Sequence, residues 1–303
     1  MKTKICLIGI GKIAVDQHVP AISGSDDWTL AATVSRVGTV DGVPSYTDFD
    51  QMLADHPDIP VISLCLPTVP RFEYAAKAMA AGRHVMLEKP PGATISEVHM
   101  LQAMAKDHGV SLFATWHSRA AVAVQPAKTW LADKSIKKAH ITWKEDVRKW
   151  HPNQDWVFEP GGMGVFDPGI NALSIITEIL PFEMRLQSAI LEFPTNRDTP
   201  IAAKMQWADN ISGEFDWRQE GSESWDITLE TDGGLAELKE GGARFFIDGV
   251  EQPVDGLDEY PALYKHMKTL VDSNTSDIDV RPLIQVADAL TLGKRISTDA
   301  FAF

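Results

Sequence analysis

Apolar residues in the first part of the chain fall into short, nearly unbroken runs, separated by segments that repeat apolar positions every three to four residues. The runs are "KICLIGI", "WTLAATVS", "VISLCLP", "HVMLEK" and "SLFATWH"; between them lie residues 13–23, "DFDQMLADH", "RFEYAAKAMAAG" and "ISEVHMLQAMAKDHG". Strands without a polar face are covered on both sides, and their alternation with amphipathic helices predicts a parallel sheet with helices on both faces. The expected first domain, residues 1–119, is therefore an α/β, Rossmann, doubly wound fold.

The rhythm changes after about residue 120. "AHITWKEDV", "RLQSAILEF", "IAAKMQWA", "ISGEFDWR", "SWDITLETDGG", "LAELKEGG" and "ARFFIDG" follow one another with two-residue alternation and Gly or Asp-Gly turns. This pattern predicts an α+β second domain, residues 120–303, built on a large, mostly antiparallel open sheet. "VFDPGINALSI" reads as a helix start running into an apolar interior, and "PLIQVADALTLGKRIS" as a closing helix that packs on the second domain or back on the first.

Composition narrows the partners. The chain has 303 residues, 44% of them hydrophobic, enough for two cores. A formal net charge of -14 repels nucleic acid and anionic membrane surfaces, which leaves a small molecule as the expected partner. Only two cysteines occur, Cys6 and Cys65, each in an apolar stretch, so no disulfide framework or CxxC pair is expected and a cytoplasmic location fits. "MKTKICLIGIGK" is too short and too broken by Gly9, Gly11 and Lys12 for a signal peptide, and no run approaches the roughly 18 to 20 apolar residues of a membrane span. The nine histidines show no metal-ligand spacing. The sheet of the second domain, with one face left over for burial, points to a homodimer, with a monomer as the alternative.

"CLIGIGKIA" carries Gly9, Gly11 and Ala14 at the three fingerprint positions of a dinucleotide loop, between the first strand and first helix. Gly9 allows the tight turn, Gly11 lets a pyrophosphate approach the backbone, and Ala14 lets the helix pack closely. At the end of the second strand, where an NAD site places Asp or Glu, the chain has Ser35 and Arg36. A hydroxyl and a guanidinium suit a 2′-phosphate, so NADP is expected over NAD, with NAD also usable. The expected cofactor contacts are Gly9, Gly11, Lys12, Ile13, Ser35, Arg36, Leu66, Pro67, Thr68, Glu88, Lys89 and Pro90.

"HVMLEKPPGAT" puts Glu88, Lys89 and Pro90 directly after a strand, at the sheet edge where ligands of this fold bind. Lys89 can hydrogen-bond a substrate hydroxyl; taken in isolation it reads rather as a solvated lysine with Glu88 as a surface partner. Asp167 and Asn171, four apart, share one helix face. Asp167 followed by proline is also a good N-cap.

The glycine fingerprint, "AGRHVMLEKP" and a later acidic residue heading a helix together resemble the glucose–fructose oxidoreductase and inositol dehydrogenase (Gfo/Idh/MocA) family. Within it, "EKPPGAT", "TWHSR" and "WHPNQDWVFEPGGMGVFDPGINALSI" look like the bacterial aldose 1-dehydrogenases. The resemblance implies NAD(P)-dependent oxidation of a pyranose aldose, such as L-arabinose or D-galactose, at C1 to the lactone. It implies Lys89 beside substrate and nicotinamide. The family commonly has a histidine where this chain has Asn171, and an amide cannot take up a proton, so proton transfer falls to Asp167 or Lys89. Asn171 and His117 are expected to orient the sugar, and Arg119, Glu145, Trp150, His151, Trp156 and Trp225 are further candidates to hold it. Each has an ordinary structural alternative as a core or packing residue. Two other functions stay open: a related dehydrogenase of an inositol or D-xylose, and a regulator that keeps the dinucleotide domain without turnover.

Overall fold

The computed structural model describes residues 2–303. The chain forms two compact units: Met1–His117 with Asp258–Val280, and Ser118–Leu257 with Arg281–Phe303.

The first unit is built on six parallel strands, β1 (Thr3–Ile8), β2 (Trp28–Val34), β3 (Ser45–Tyr46), β4 (Val61–Leu64), β5 (His84–Leu87) and β6 (Leu112–Ala114), in the order β3-β2-β1-β4-β5-β6. This is the dinucleotide-binding order, with its switch point at β1/β4. The first helix opens as a π-turn, Ala14–His18, and continues as α1 (Val19–Ser23). It is followed by α2 (Phe49–Asp55), α3 (Thr68–Ala80) and α4 (Ile95–His108). The Asp48 carboxylate caps α2 and the Thr94 hydroxyl caps α4, which fixes where both helices begin. All four residues of β4 are buried, as the unbroken apolar run requires.

The second unit holds a mixed sheet of nine strands: β7 (Ile136–Lys144), β8 (Leu186–Pro194), β9 (Ala202–Trp207), β10 (Ile211–Asp216), β11 (Ser224–Thr231), β12 (Gly234–Lys239), β13 (Arg244–Ile247), β14 (Val250–Gln252) and β15 (Lys294–Thr298). The order is β14-β13-β12-β11-β7-β10-β9-β8-β15, antiparallel except at β10/β7 and β15/β8. Helices α5 (Val124–Leu131), α6 (Val147–Trp150) and α7 (Phe166–Ile179) belong to this unit.

Two segments depart from the sequence expectation. Helix α8 (Glu259–Ser273), within the stretch assigned to the second domain, belongs to the first unit, where Tyr260, Leu263, Tyr264, Met267 and Leu270 are buried. The closing helix α9 (Arg281–Leu292) stays in the second unit and ends before "GKRIS", and Lys294–Thr298 form β15 instead. Nothing in the polar, largely exposed Lys294–Thr298 stretch breaks the helical reading locally, and parallel pairing with β8 is what makes it an edge strand.

Candidate active site

In the first unit the dinucleotide loop fits its proposed ligand. Gly9 has φ +90°, and a Cβ there would press on Leu66 Cδ2 at 3.0 Å and the Cys65 carbonyl carbon at 3.1 Å, so this position needs glycine for the fold itself. A Cβ on Gly11 would meet nothing within 4 Å. Packing therefore does not demand glycine at 11, whereas an approaching phosphate does. Lys12 is exposed and ion-paired with Asp16, and Ile13 is 40% exposed beside it. The Ser35 hydroxyl accepts from the backbone N–H groups of Ile10, Val37 and Gly38 at 3.2, 3.2 and 3.3 Å, which uses its lone pairs and leaves its O–H to donate. Arg36 is exposed.

Lys89 follows β5, and its backbone is held from two directions. Its N–H donates to Glu88 Oε2 at 2.8 Å. The Arg71 guanidinium, from the first turn of α3 and 3% exposed, donates to the carbonyls of Leu66, Glu88 and Pro90. One buried cation thus ties the Leu66–Thr68 turn to the Glu88–Pro90 segment, two stretches expected to line the cofactor. The Lys89–Pro90 peptide is cis.

Glu88 was expected at the cofactor, but it is 5% exposed and turned into the unit. Its carboxylate accepts from Tyr260 Oη at 2.8 Å and His18 Nε2 at 3.1 Å, while His18 Nδ1 lies 2.7 Å from Tyr264 Oη. Burial by itself would raise Glu88, but the hydrogen bond and charge of His18 hold it well below the usual carboxylate range. Burial likewise opposes a charged His18, yet Cys65, Tyr264 and Glu88 raise it well above the usual imidazole value. His18 and Glu88 form a sealed imidazolium–carboxylate pair behind Lys89. Beyond β6, on the neighbouring strand, His117 places Nδ1 2.7 Å from Glu259 Oε2.

In the second unit α7 explains the odd polar residues of "VFDPGINALSI". Every residue of this helix is buried except Asp167, Asn171 and Glu178, which lie on one stripe. Phe166, Ile170, Leu173, Ile175, Ile176 and Ile179 each contribute roughly 1.5–3 kcal/mol by burial, so the first turn stands on a fixed platform. Asp167 is not the N-cap: that position is Val165, with no side-chain cap. Instead Asp167 Oδ2 lies 3.2 Å from His151 Nε2.

The tautomer of that histidine follows from its neighbours. Trp156 Nε1 can only donate, so the Gln154 atom it meets at 3.1 Å is the amide oxygen, and the same oxygen lies 3.1 Å from His151 Nδ1. His151 Nδ1 therefore carries a hydrogen. With Nδ1 committed, the position between His151 Nε2 and Asp167 Oδ2 is the one place where the pair gains or loses a proton.

Glu145, 7% exposed, accepts from the indole N–H of Trp217 through Oε1 and of Trp225 through Oε2, each at 3.0 Å. Trp217 also meets the His151 ring edge-on at 5.5 Å, and Trp150, 36% exposed, packs 5.9 Å from Trp225. The indoles link Glu145 to His151. Arg119 does something other than expected: its guanidinium bonds Ser174 O at 2.8 Å and Thr177 Oγ1 at 3.0 Å and pairs with Glu178, so it braces α7. Arg71, His18, Glu259, Tyr260 and Trp217 carried no sequence signal, because each acts through partners distant in the chain or through a buried carbonyl, and Gln154 carried none because its contacts to His151 and Trp156 depend on how the loop is folded.

Comparison with known proteins places the chain in a family. Residues 3–115 match the Gfo/Idh/MocA family model, described as an oxidoreductase family with an NAD-binding Rossmann fold. Over 302 residues the chain is 40% identical to a galactose 1-dehydrogenase of Pseudomonas fluorescens, covering 98% of both proteins. The chain belongs to this family. The crystal structure of a D-galactose-1-dehydrogenase from Rhizobium etli superposes with a TM-score of 0.94 at 53% identity, covering 99% of this chain and 98% of that one. A 3-ketoreductase from Actinomadura kijaniata, solved with NADP, shares the Gfo/Idh/MocA fold at 16% identity and a TM-score of 0.81, over 98% and 100% of the two chains. The protein is thus an NAD(P)-binding oxidoreductase. No helix among the described residues is long and apolar enough to cross a membrane.

Proposed function

We propose that the protein oxidises a pyranose aldose of the D-galactose or L-arabinose kind at C1 to the aldonolactone, with NADP preferred and NAD usable. Similarity to proteins named galactose 1-dehydrogenase over nearly the whole chain supports the substrate class. The His151–Asp167 pair carries the chemistry, because oxidation of a hemiacetal C–H needs a group that takes the hydroxyl proton. When bound, the nicotinamide ring supplies the acceptor for the C1 hydride.

The roles of the protein groups follow from what each can donate or accept. Asp167 and His151 take the C1 hydroxyl proton into the Oδ2–Nε2 position and, being 18% and 22% exposed, pass it to solvent. Lys89 donates to the C1 oxygen from a backbone that Glu88 and Arg71 keep still. Asn171, one turn beyond Asp167, orients the hydroxyl without competing for its proton. Glu145 accepts from ring hydroxyls, and the exposed Trp150 and Trp156 offer faces to the sugar C–H surface. Arg119 stays outside the sugar contacts, committed to α7.

Initial rates with NADP and NAD against D-galactose, L-arabinose, D-fucose, D-xylose, D-glucose and myo-inositol test this assignment. Reduction of neither cofactor by any of these sugars overturns it, and turnover of myo-inositol alone moves the reaction to a ring hydroxyl.

Preference for NADP rests on Arg36. Arg36→Ala is expected to raise KM for NADP about tenfold or more, the value of one charge-assisted phosphate contact, and to leave KM for NAD within about twofold. Equal losses with both cofactors would remove Arg36 from the 2′-phosphate site. A reducing, cytoplasmic location, supported by two free cysteines, belongs to the same proposal. So does a homodimer through the open face of the nine-stranded sheet, where Ile190, Leu235 and Ile296 are exposed. Sedimentation at twice the 33.4 kDa chain mass is the expected result.

A further inference from the structure

Helix α8 returns to the first unit from far along the chain, and its first turns make a ladder of polar contacts. Glu259 Oε2 lies 2.7 Å from His117 Nδ1, Tyr260 donates to Glu88 at 2.8 Å, and Tyr264 lies 2.7 Å from His18 Nδ1. The Tyr264 carbonyl also accepts from Trp28 Nε1 at 2.9 Å. Tyr260 and Tyr264 are buried, four apart and on one face, so the helix start that presents Glu259 is firmly seated.

His117 is held on two sides. Its ring stacks on Tyr260 with centroids 5.7 Å apart and an interplanar angle of 19°, and its Nδ1 edge meets the Glu259 carboxylate. The charged groups acting on it are Glu259 and Glu88, which favour the imidazolium, and Lys89, which opposes it; Tyr260 is a neutral phenol. Burial also opposes the charge, yet the two carboxylates prevail and His117 is raised above the usual imidazole value.

We propose that Glu259 is a positioning residue of the sugar site: its carboxylate fixes the rotation of the His117 ring through Nδ1, so that the ring meets a sugar hydroxyl as a hydrogen-bond donor. The proposal rests on the proposed aldose oxidation and on the sequence-based expectation that His117 orients the sugar. A neutral imidazole with Nδ1–H engaged by Glu259 would offer only a lone pair at Nε2; the imidazolium offers an N–H there. Sugar binding should therefore weaken as pH rises through the His117 titration.

Two substitutions separate geometry from charge. Glu259→Gln keeps an oxygen that accepts from Nδ1 but removes the negative charge; Glu259→Ala removes both. Imidazole NMR of labelled protein without sugar, with the His117 signal identified by its loss in His117→Gln, should show the titration midpoint falling by about one unit or more in Glu259→Gln. An unchanged midpoint overturns the proposal. KM for the sugar, followed against pH, should rise at the same lowered midpoint in Glu259→Gln. It should be about tenfold higher in Glu259→Ala at neutral pH, with a smaller change in kcat. A midpoint that moves while KM does not also overturns it. If no sugar is turned over, the proposed function falls by the rate assay, while NMR still decides whether Glu259 governs the state of His117.

Discussion

Asp167→Asn is expected to lower kcat at saturating sugar and NADP by about 100-fold or more, the usual contribution of a placed general base. The substitution is nearly isosteric, and an Asn amide can donate to a neutral His151 Nε2 through its NH2 or accept from a protonated one through its oxygen, so the 3.2 Å contact and the start of α7 should survive. What the amide cannot do is share a proton. His151 Nδ1 is already committed as a donor to Gln154, so the position between Nε2 and Oδ2 is the one in the pair where a substrate proton can be taken up. His151→Gln should cause a comparable loss by the same route. Because the two act as one unit, the double variant should be little worse than the poorer single variant. Rates multiplying in the double variant would show that the residues work separately, and near-normal turnover in Asp167→Asn would remove it from the mechanism.

That pair marks where sequence reasoning stopped. The parallel sheet, the dinucleotide loop and the edge holding Lys89 were legible because each is written in local order: unbroken apolar runs alternating with segments of helical period, and glycines at fixed spacing. The first turn of α7 was half legible. Asp167 and Asn171 stood out as polar residues heading an apolar helix, and the helix is buried everywhere except their stripe. Their partner was not legible, since His151 comes from a loop whose geometry depends on Gln154 and Trp156.

The remaining omissions share one physical cause. Arg71 looks like a surface charge at the start of an amphipathic helix, and only the carbonyls of Leu66, just ahead of that helix, and of Glu88, 17 positions on, make it a buried clamp. Glu88 sits in a recognisable motif, yet its task is set by Tyr260, 172 positions away, and by His18, 70 positions away. Buried polar networks are satisfied by whatever the fold brings near them, and no local pattern announces the donor.

The largest loss of stability is expected from His18→Leu. Removing one partner of a buried ion pair leaves an uncompensated charge and costs about 3–5 kcal/mol, a large share of the 5–15 kcal/mol typical of a folded domain. Glu88 would keep Tyr260 Oη and the Lys89 N–H, but without His18 burial would push its carboxyl up. The pH dependence has a definite sign. His18 is raised from 6.5, so its contribution is complete below pH 6.5 and is lost as pH rises through its higher folded value. Glu88 is lowered from 4.5, so its contribution is present above pH 4.5 and is lost as pH falls through its lower folded value. The wild-type advantage over His18→Leu, read from urea midpoints by circular dichroism, should therefore be greatest near pH 6.5 and narrow as pH rises further. The slope should not exceed about 1.4 kcal/mol per pH unit, one proton's worth. His18→Leu combined with Glu88→Gln should recover part of the loss, since a neutral amide in the same place keeps hydrogen-bond partners and carries no buried charge. If the single variant unfolds at the wild-type midpoint across this range, His18 and Glu88 do not form a charged pair, and the backbone of Lys89 is held by Arg71 and the surrounding packing alone.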